Sequence, residues 1–119
     1  MNQAIIDANV ILGYLVREED YLDTALRKYE LLLLPTLVVS EVVYVLENEY
    51  DLDRRLVLEA LSSLLQESKI KSERTIILNS LLKYRDYPTL SFVDCYLWEL
   101  AEGAGCDLLT NDKKLAVKK

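Results

Sequence analysis

The sequence predicts an α/β fold built on a parallel sheet, and three observations carry that expectation. Short apolar runs, Gln3-Ala-Ile-Ile-Asp7, Leu31–Leu34 and Asp107–Thr110, read as strands. Longer stretches between them place apolar residues at helical spacing, so strands alternate with helices and imply a sheet covered on both faces. Only three glycines and two prolines interrupt 119 residues, 51% of them hydrophobic, which is the profile of a folded domain with short connections.

The elements follow in order. After the first strand, Val10, Ile11, Tyr14 and Leu15 have helical spacing. A second helix is predicted from Asp20 to Glu30, with Leu22, Ala25, Leu26 and Tyr29 on one face. Leu31–Leu34 is a buried strand stopped by Pro35, and Thr36 can cap a helix running from Leu37 to about Tyr50. Asp51 or Asp53 can cap the next helix, which carries Leu56, Ala60, Leu61, Leu64 and Leu65 at core spacing. Lys69–Lys71 is a brief edge strand, and Arg74–Tyr87 a helix stopped before Pro88 with Ile77, Leu78, Leu81 and Leu82 inward. Ser91 opens a helix whose predicted inward face is Phe92, Val93, Tyr96, Leu97, Leu100 and Ala101, ended by Gly103 and Gly105. The strand Asp107–Thr110 and a lysine-rich tail follow.

Length and composition set bounds. The chain fits a single domain over residues 1–119, large enough to bury roughly two thirds of its unfolded surface without a disulfide or structural metal. It contains no histidine, which excludes His-containing zinc sites and nucleophiles that rely on an imidazole base. Cys95 and Cys106 sit in apolar segments without CxxC spacing and read as two buried, reduced thiols. The opening residues lack the basic start and apolar core of a secretion signal, and no run reaches the ~18 apolar residues of a membrane span, so a cytoplasmic protein is expected. The net charge of −6 speaks against a nucleic-acid partner when taken alone. Acids clustered around divalent cations would reverse that local field, although solvated helix faces account for most of such an excess.

In parallel sheets, sites form beyond the carboxyl ends of the strands, where Asp7 and Asp112 stand. Each reads either as a helix cap or turn residue, or as a ligand at the rim. Asp94, in Ser91-Phe-Val-Asp94, fits a capping box and equally a carboxylate held on a rigid helix start. Glu41 interrupts the apolar stretch Leu37–Leu46 and reads as a partly buried carboxylate or as part of a wet helix face with Ser40, Tyr44 and Glu47. Asp51-Leu-Asp53 reads as a cap, and Lys113, Lys114, Lys118 and Lys119 as a solvated tail able to touch phosphates.

Together these segments resemble the PIN domain, in particular its compact VapC-like branch of toxin ribonucleases. The resemblance rests on Ile-Ile-Asp7-Ala-Asn9, Ser40-Glu41-Val-Val-Tyr-Val-Leu46, Ser91-Phe-Val-Asp94-Cys-Tyr-Leu leading to Leu100-Ala101, and Leu108-Leu-Thr110-Asn111-Asp112-Lys-Lys-Leu115. Each fragment is unspecific alone; four in this order, covering nearly the whole chain, make a fairly specific match. Two departures stand out. Many relatives have Thr or Ser where this chain has Ala8, and many continue into a final strand after the position of Asp112.

The resemblance implies a three-layer α/β/α domain with a central parallel sheet of four to five short strands. It implies a catalytic quartet of Asp7, Glu41, Asp94 and Asp112, with Asp7, Asp94 and Asp112 on the metal and Asn9 and Thr110 in support. The implied activity is Mg²⁺- or Mn²⁺-dependent endoribonuclease hydrolysis of RNA phosphodiester bonds, leaving 5′-phosphate and 3′-hydroxyl ends. Hard oxygen donors suit those ions, and a bound ion can activate water without a histidine base. The implied partners are RNA, a small antitoxin protein of a type II toxin–antitoxin pair and a second copy of the chain, with no membrane. A housekeeping RNA-processing nuclease keeps the same fold with another role, and a non-catalytic protein-interaction module would retain the acids only as caps.

Overall fold

A computed structural model describes residues 2–116. The chain divides into two compact units, Met1–Arg74 and Thr75–Lys119.

In the first unit a three-stranded parallel sheet has the order β1 (Gln3–Ile5), β2 (Leu31–Leu33), β3 (Ile70–Lys71). Ala4 pairs with Leu32, and Leu32 with Ile70, so β2 is central. The amide of Ile6 donates to the Leu33 carbonyl at 2.9 Å and carries the ladder one residue past β1, up to Asp7. Four helices accompany the sheet: α1 (Ala8–Val16), α2 (Tyr21–Lys28), α3 (Thr36–Asn48) and α4 (Arg54–Leu65). Helix α1 packs on α2 and α3, and α3 packs on α4. The buried residues of α3, namely Val39, Val42, Val43 and Leu46, recur every three or four positions and turn one stripe inward.

Caps decide where several helices begin. Asp53, the second of the two acids considered, accepts from the Leu56 amide at 2.9 Å and opens α4. Thr36 does not cap α3; Pro35 holds that position, and the Thr36 hydroxyl donates instead to Glu73. Leu56, expected in the core, is exposed, because the inward stripe of α4 runs through Val57, Leu61, Leu64 and Leu65.

The second unit contains α5 (Arg74–Asp86, whose first residue closes the first unit), α6 (Phe92–Ala104) and the single turn α7 (Lys113–Ala116). Lys83 of α5 pairs with Glu99 and Glu102 of α6, Asn79 donates to Glu99 at 3.0 Å, and the Tyr87 and Trp98 rings meet edge to face at 5.0 Å. Ile77 and Leu81 of α5 are buried as expected, whereas Leu82 is exposed. The buried face of α6 is Phe92, Cys95 and Trp98, which leaves Val93 and Leu97 exposed and corrects the predicted face by about one position. An apolar helix with few charges offers no polar stripe to mark its outer side, so spacing alone left the face open. Gly105 takes a left-handed φ of 64° and ends α6, while Gly103 lies inside the helix.

Two further expectations change. The described residues form three strands rather than four or five, and Asp107–Thr110 is not one of them. Leu109 in that segment is 93% exposed; apolar residues make a strand only where a neighbouring strand supplies the ladder. Cys95 is buried and outside any disulfide, but Cys106 is exposed, since it follows the helix end at Gly105. No described helix is long and apolar enough to cross a membrane. Lys118 and Lys119 lie outside the described residues.

Candidate active site

Asp7 stands where strand turns to helix. Its backbone is extended, and its Oδ1 accepts from the Ala8 amide at 2.8 Å, capping α1. Asp94 completes the capping box expected at the start of α6: its Oδ2 accepts from the Ser91 amide at 3.0 Å, and its own amide donates to Ser91 Oγ at 3.1 Å. Asp112 has a similar local bond, Oδ1 accepting from the Lys114 amide at 2.9 Å. Thr110 Oγ1 accepts from the Asp112 amide at 3.0 Å and fixes that turn. Among the described residues, the second carboxylate oxygen of each aspartate accepts no hydrogen bond.

The capping reading of these three aspartates is therefore correct, and it leaves each with a free oxygen. A carboxylate held by one oxygen and open at the other is a rigid monodentate donor, and hard oxygen donors suit Mg²⁺ or Mn²⁺. By donor chemistry, each of Asp7, Asp94 and Asp112 suits such an ion as a single ligand. Within either unit, among the described residues, no three acidic or thiol side chains gather to enclose a metal. Asp7 and Glu41 belong to the first unit, Asp94 and Asp112 to the second.

Glu41 is exposed rather than partly buried, and no hydrogen bond or ion pair among the described residues holds it. It lies on the outer face of α3, between Leu37 and Tyr44, which are 82% and 64% exposed. Asn9, the second residue of α1, is exposed, and its carbonyl accepts from Arg17 Nη2 at 3.0 Å.

A cavity of about 540 Å³ opens beside Asp7 in the first unit, with Asn9, Arg17, Tyr21 and Tyr29 in its walls. Arg17 also reaches the Tyr50 hydroxyl at 3.4 Å and Glu19 at 3.4 Å. The hydrogen bond to Tyr50 holds the guanidinium above its usual range, Glu19 adds to that, and partial desolvation opposes both. Sequence reasoning passed over Arg17 and Tyr21. A basic residue at a helix C-terminus reads as a partner of the helix dipole, and the eight residues from Asn9 to Arg17 become a contact only once α1 has formed.

Compared with known families, residues 4–119 match the model of the PIN domain. The chain belongs to the PIN domain family. The PIN fold is a nuclease fold, and the parallel sheet with Asp7 at the carboxyl end of β1 agrees with it. No curated protein and no solved structure matches the chain. In this PIN domain the starts of α1 and α6 and the turn before α7 carry the three aspartates, each on a backbone amide of its own turn.

Proposed function

We propose that this PIN domain is a Mg²⁺- or Mn²⁺-dependent endoribonuclease, the VapC-like toxin of a type II toxin–antitoxin pair, in which Asp7, Glu41, Asp94 and Asp112 act together. The observation that carries the reading is the shared state of the three aspartates, one oxygen fixed by a local amide and the other unbonded, in a chain matched by the family model over residues 4–119. In this reading the two compact units work as one nuclease domain over residues 1–119.

Asp7, Asp94 and Asp112 would hold the ion, and Glu41 would complete the acidic set. A divalent ion held there would supply charge neutralisation at the phosphate and a lowered pKa for water. The residues themselves supply fixed geometry. Capping bonds hold the Asp7 and Asp94 carboxylates before the metal arrives, so little ordering cost remains at binding. Asn9 and Thr110 would act in support, Thr110 through its bond to the Asp112 amide. The exposed Leu37 and Tyr44 beside Glu41 support a protein partner on that face of α3, a second copy or a small antitoxin.

The test is cleavage of single-stranded RNA with manganese, with magnesium and with excess chelator. Expected is metal-dependent internal cleavage that leaves 5′-phosphate ends and is lost in Asp7→Asn and Asp94→Asn. Full activity in both variants would refute the quartet. Arrest of growth on expression, relieved by a protein from a neighbouring gene, decides for the toxin role over RNA processing.

A further inference from the structure

The cavity beside Asp7 combines features that the acidic quartet does not use. Arg17 is the one basic residue among those described in its walls. The segment that carries Arg17 is built into place. Glu18 adopts a left-handed φ of 54°, and the amides of Arg17 and Glu19 both donate to the Gly13 carbonyl, at 3.2 and 3.0 Å. The Glu19 carboxylate lies directly against Gly13, in the space that a Cβ there would take.

The guanidinium is oriented as well. Its Nη2 donates to the Asn9 carbonyl, Nη1 to the Tyr50 hydroxyl, and Nε faces Glu19. An arginine has five N–H donors, so two remain for another acceptor. Tyr21, the first residue of α2, is 67% exposed and lines the cavity together with the half-buried Tyr29.

A strand of single-stranded RNA needs a cation for its backbone phosphate and a flat ring for its base. The volume of about 540 Å³ falls within the ~300–1,000 Å³ range of small-molecule sites, and a nucleotide is a ligand of that class. We infer that this cavity is the subsite for the nucleotide adjoining the cut: Arg17 takes its phosphate, Tyr21 stacks on its base, and Asp7 marks the boundary with the reacting centre. The inference rests on the nuclease reading above and adds the group that fixes the substrate strand. It also sets in an acidic chain a guanidinium, shared with Glu19 of the same wall, where a phosphate must approach.

The experiment measures binding apart from cleavage. A fluorescent single-stranded oligoribonucleotide is titrated by anisotropy in excess EDTA over a series of salt concentrations, with manganese-dependent cleavage assayed in parallel. Arg17→Gln is expected to bind about tenfold more weakly, with the log K against log salt slope reduced by about 0.7. Arg17→Lys should keep the slope. Tyr21→Ala should lose about tenfold in affinity and Tyr21→Phe almost none, because stacking needs the ring and not the hydroxyl. Tyr21 is exposed, so its truncation tests the subsite even if Arg17→Gln fails to fold. A wild type that cleaves RNA while Arg17→Gln and Tyr21→Ala bind as tightly as it does overturns the subsite and leaves the nuclease reading standing. Loss of self-association in Tyr21→Ala with unchanged RNA binding likewise overturns it, in favour of a protein contact. A wild type that neither cleaves nor binds RNA removes both.

Discussion

Ser91 and Asp94 hold each other's backbone: the Ser91 amide donates to the Asp94 carboxylate at 3.0 Å and the Asp94 amide to the Ser91 hydroxyl at 3.1 Å. The same carboxylate is a candidate metal ligand, so in the proposed function folding and catalysis would draw on different oxygens of one side chain. Substitutions can separate the two roles.

Asp94→Asn keeps an oxygen for the Ser91 amide and removes the charge. It should lose RNA cleavage while its melting temperature stays within a few degrees of wild type. Ser91→Ala removes only the cap and should cost about 1 kcal/mol of stability with the carboxylate still present. Thermal melts read beside cleavage rates check the pair.

Asp7 offers the same separation on α1. Asparagine is as good an N-cap as aspartate, whereas alanine costs about 1 kcal/mol. Asp7→Asn should therefore be inactive and stable, and Asp7→Ala inactive and less stable. Equal melting temperatures for the two would mean that the 2.8 Å bond to the Ala8 amide contributes nothing.

Manganese should stabilise the protein if the aspartates hold it, since a ligand bound only by the folded state adds about 2.7 kcal/mol at a hundred times its Kd. A rise in melting temperature with manganese, reversed by chelator and absent in Asp94→Asn, is the expected result.

The glycine within α6 and the one that ends it should respond in opposite directions. Gly103 lies within the helix with open space around it, so Gly103→Ala should gain up to about 1 kcal/mol. Gly105 sits at a φ of 64°, where a Cβ is strained, and Gly105→Ala should lose about 1 kcal/mol. Urea midpoints at constant m-value test both.

Lys83 links pH to stability in the second unit. Its hydrogen bond to Glu102 holds that carboxyl below the usual range, against desolvation, with Trp98 assisting. A depressed carboxyl contributes stability that is present above its unfolded pKa of ~4.3 and is lost as pH falls through the folded value. For Lys83 itself, burial acts to lower the pKa but is outweighed by the bonds to Glu99 and Glu102, so it is raised. That contribution is complete below the unfolded value of ~10.4 and fades only as pH rises through the higher folded one. Lys83→Met should cost about 2 kcal/mol at neutral pH, since it leaves the largely buried Glu99 carboxylate with Asn79 but no cation, and should flatten the acid limb below pH 5. Denaturant midpoints from pH 3 to 8 measure both effects.

What the sequence determined by itself is what depends on neighbours along the chain. The caps at Asp7, Asp53 and Ser91–Asp94 close within three residues, and Pro88 and Gly105 bound their helices through backbone geometry alone. The candidate acids were legible for the same reason, because each aspartate opens a helix or turn. Tertiary structure decided what depends on remote surfaces. It chose Phe92, Cys95 and Trp98 as the buried face of α6, set Glu41 in solvent, and tied Thr36 to Glu73 instead of to its own helix. It also left Asp107–Thr110 outside the sheet, since a strand exists only through its neighbour, whereas a cap is complete within its own turn.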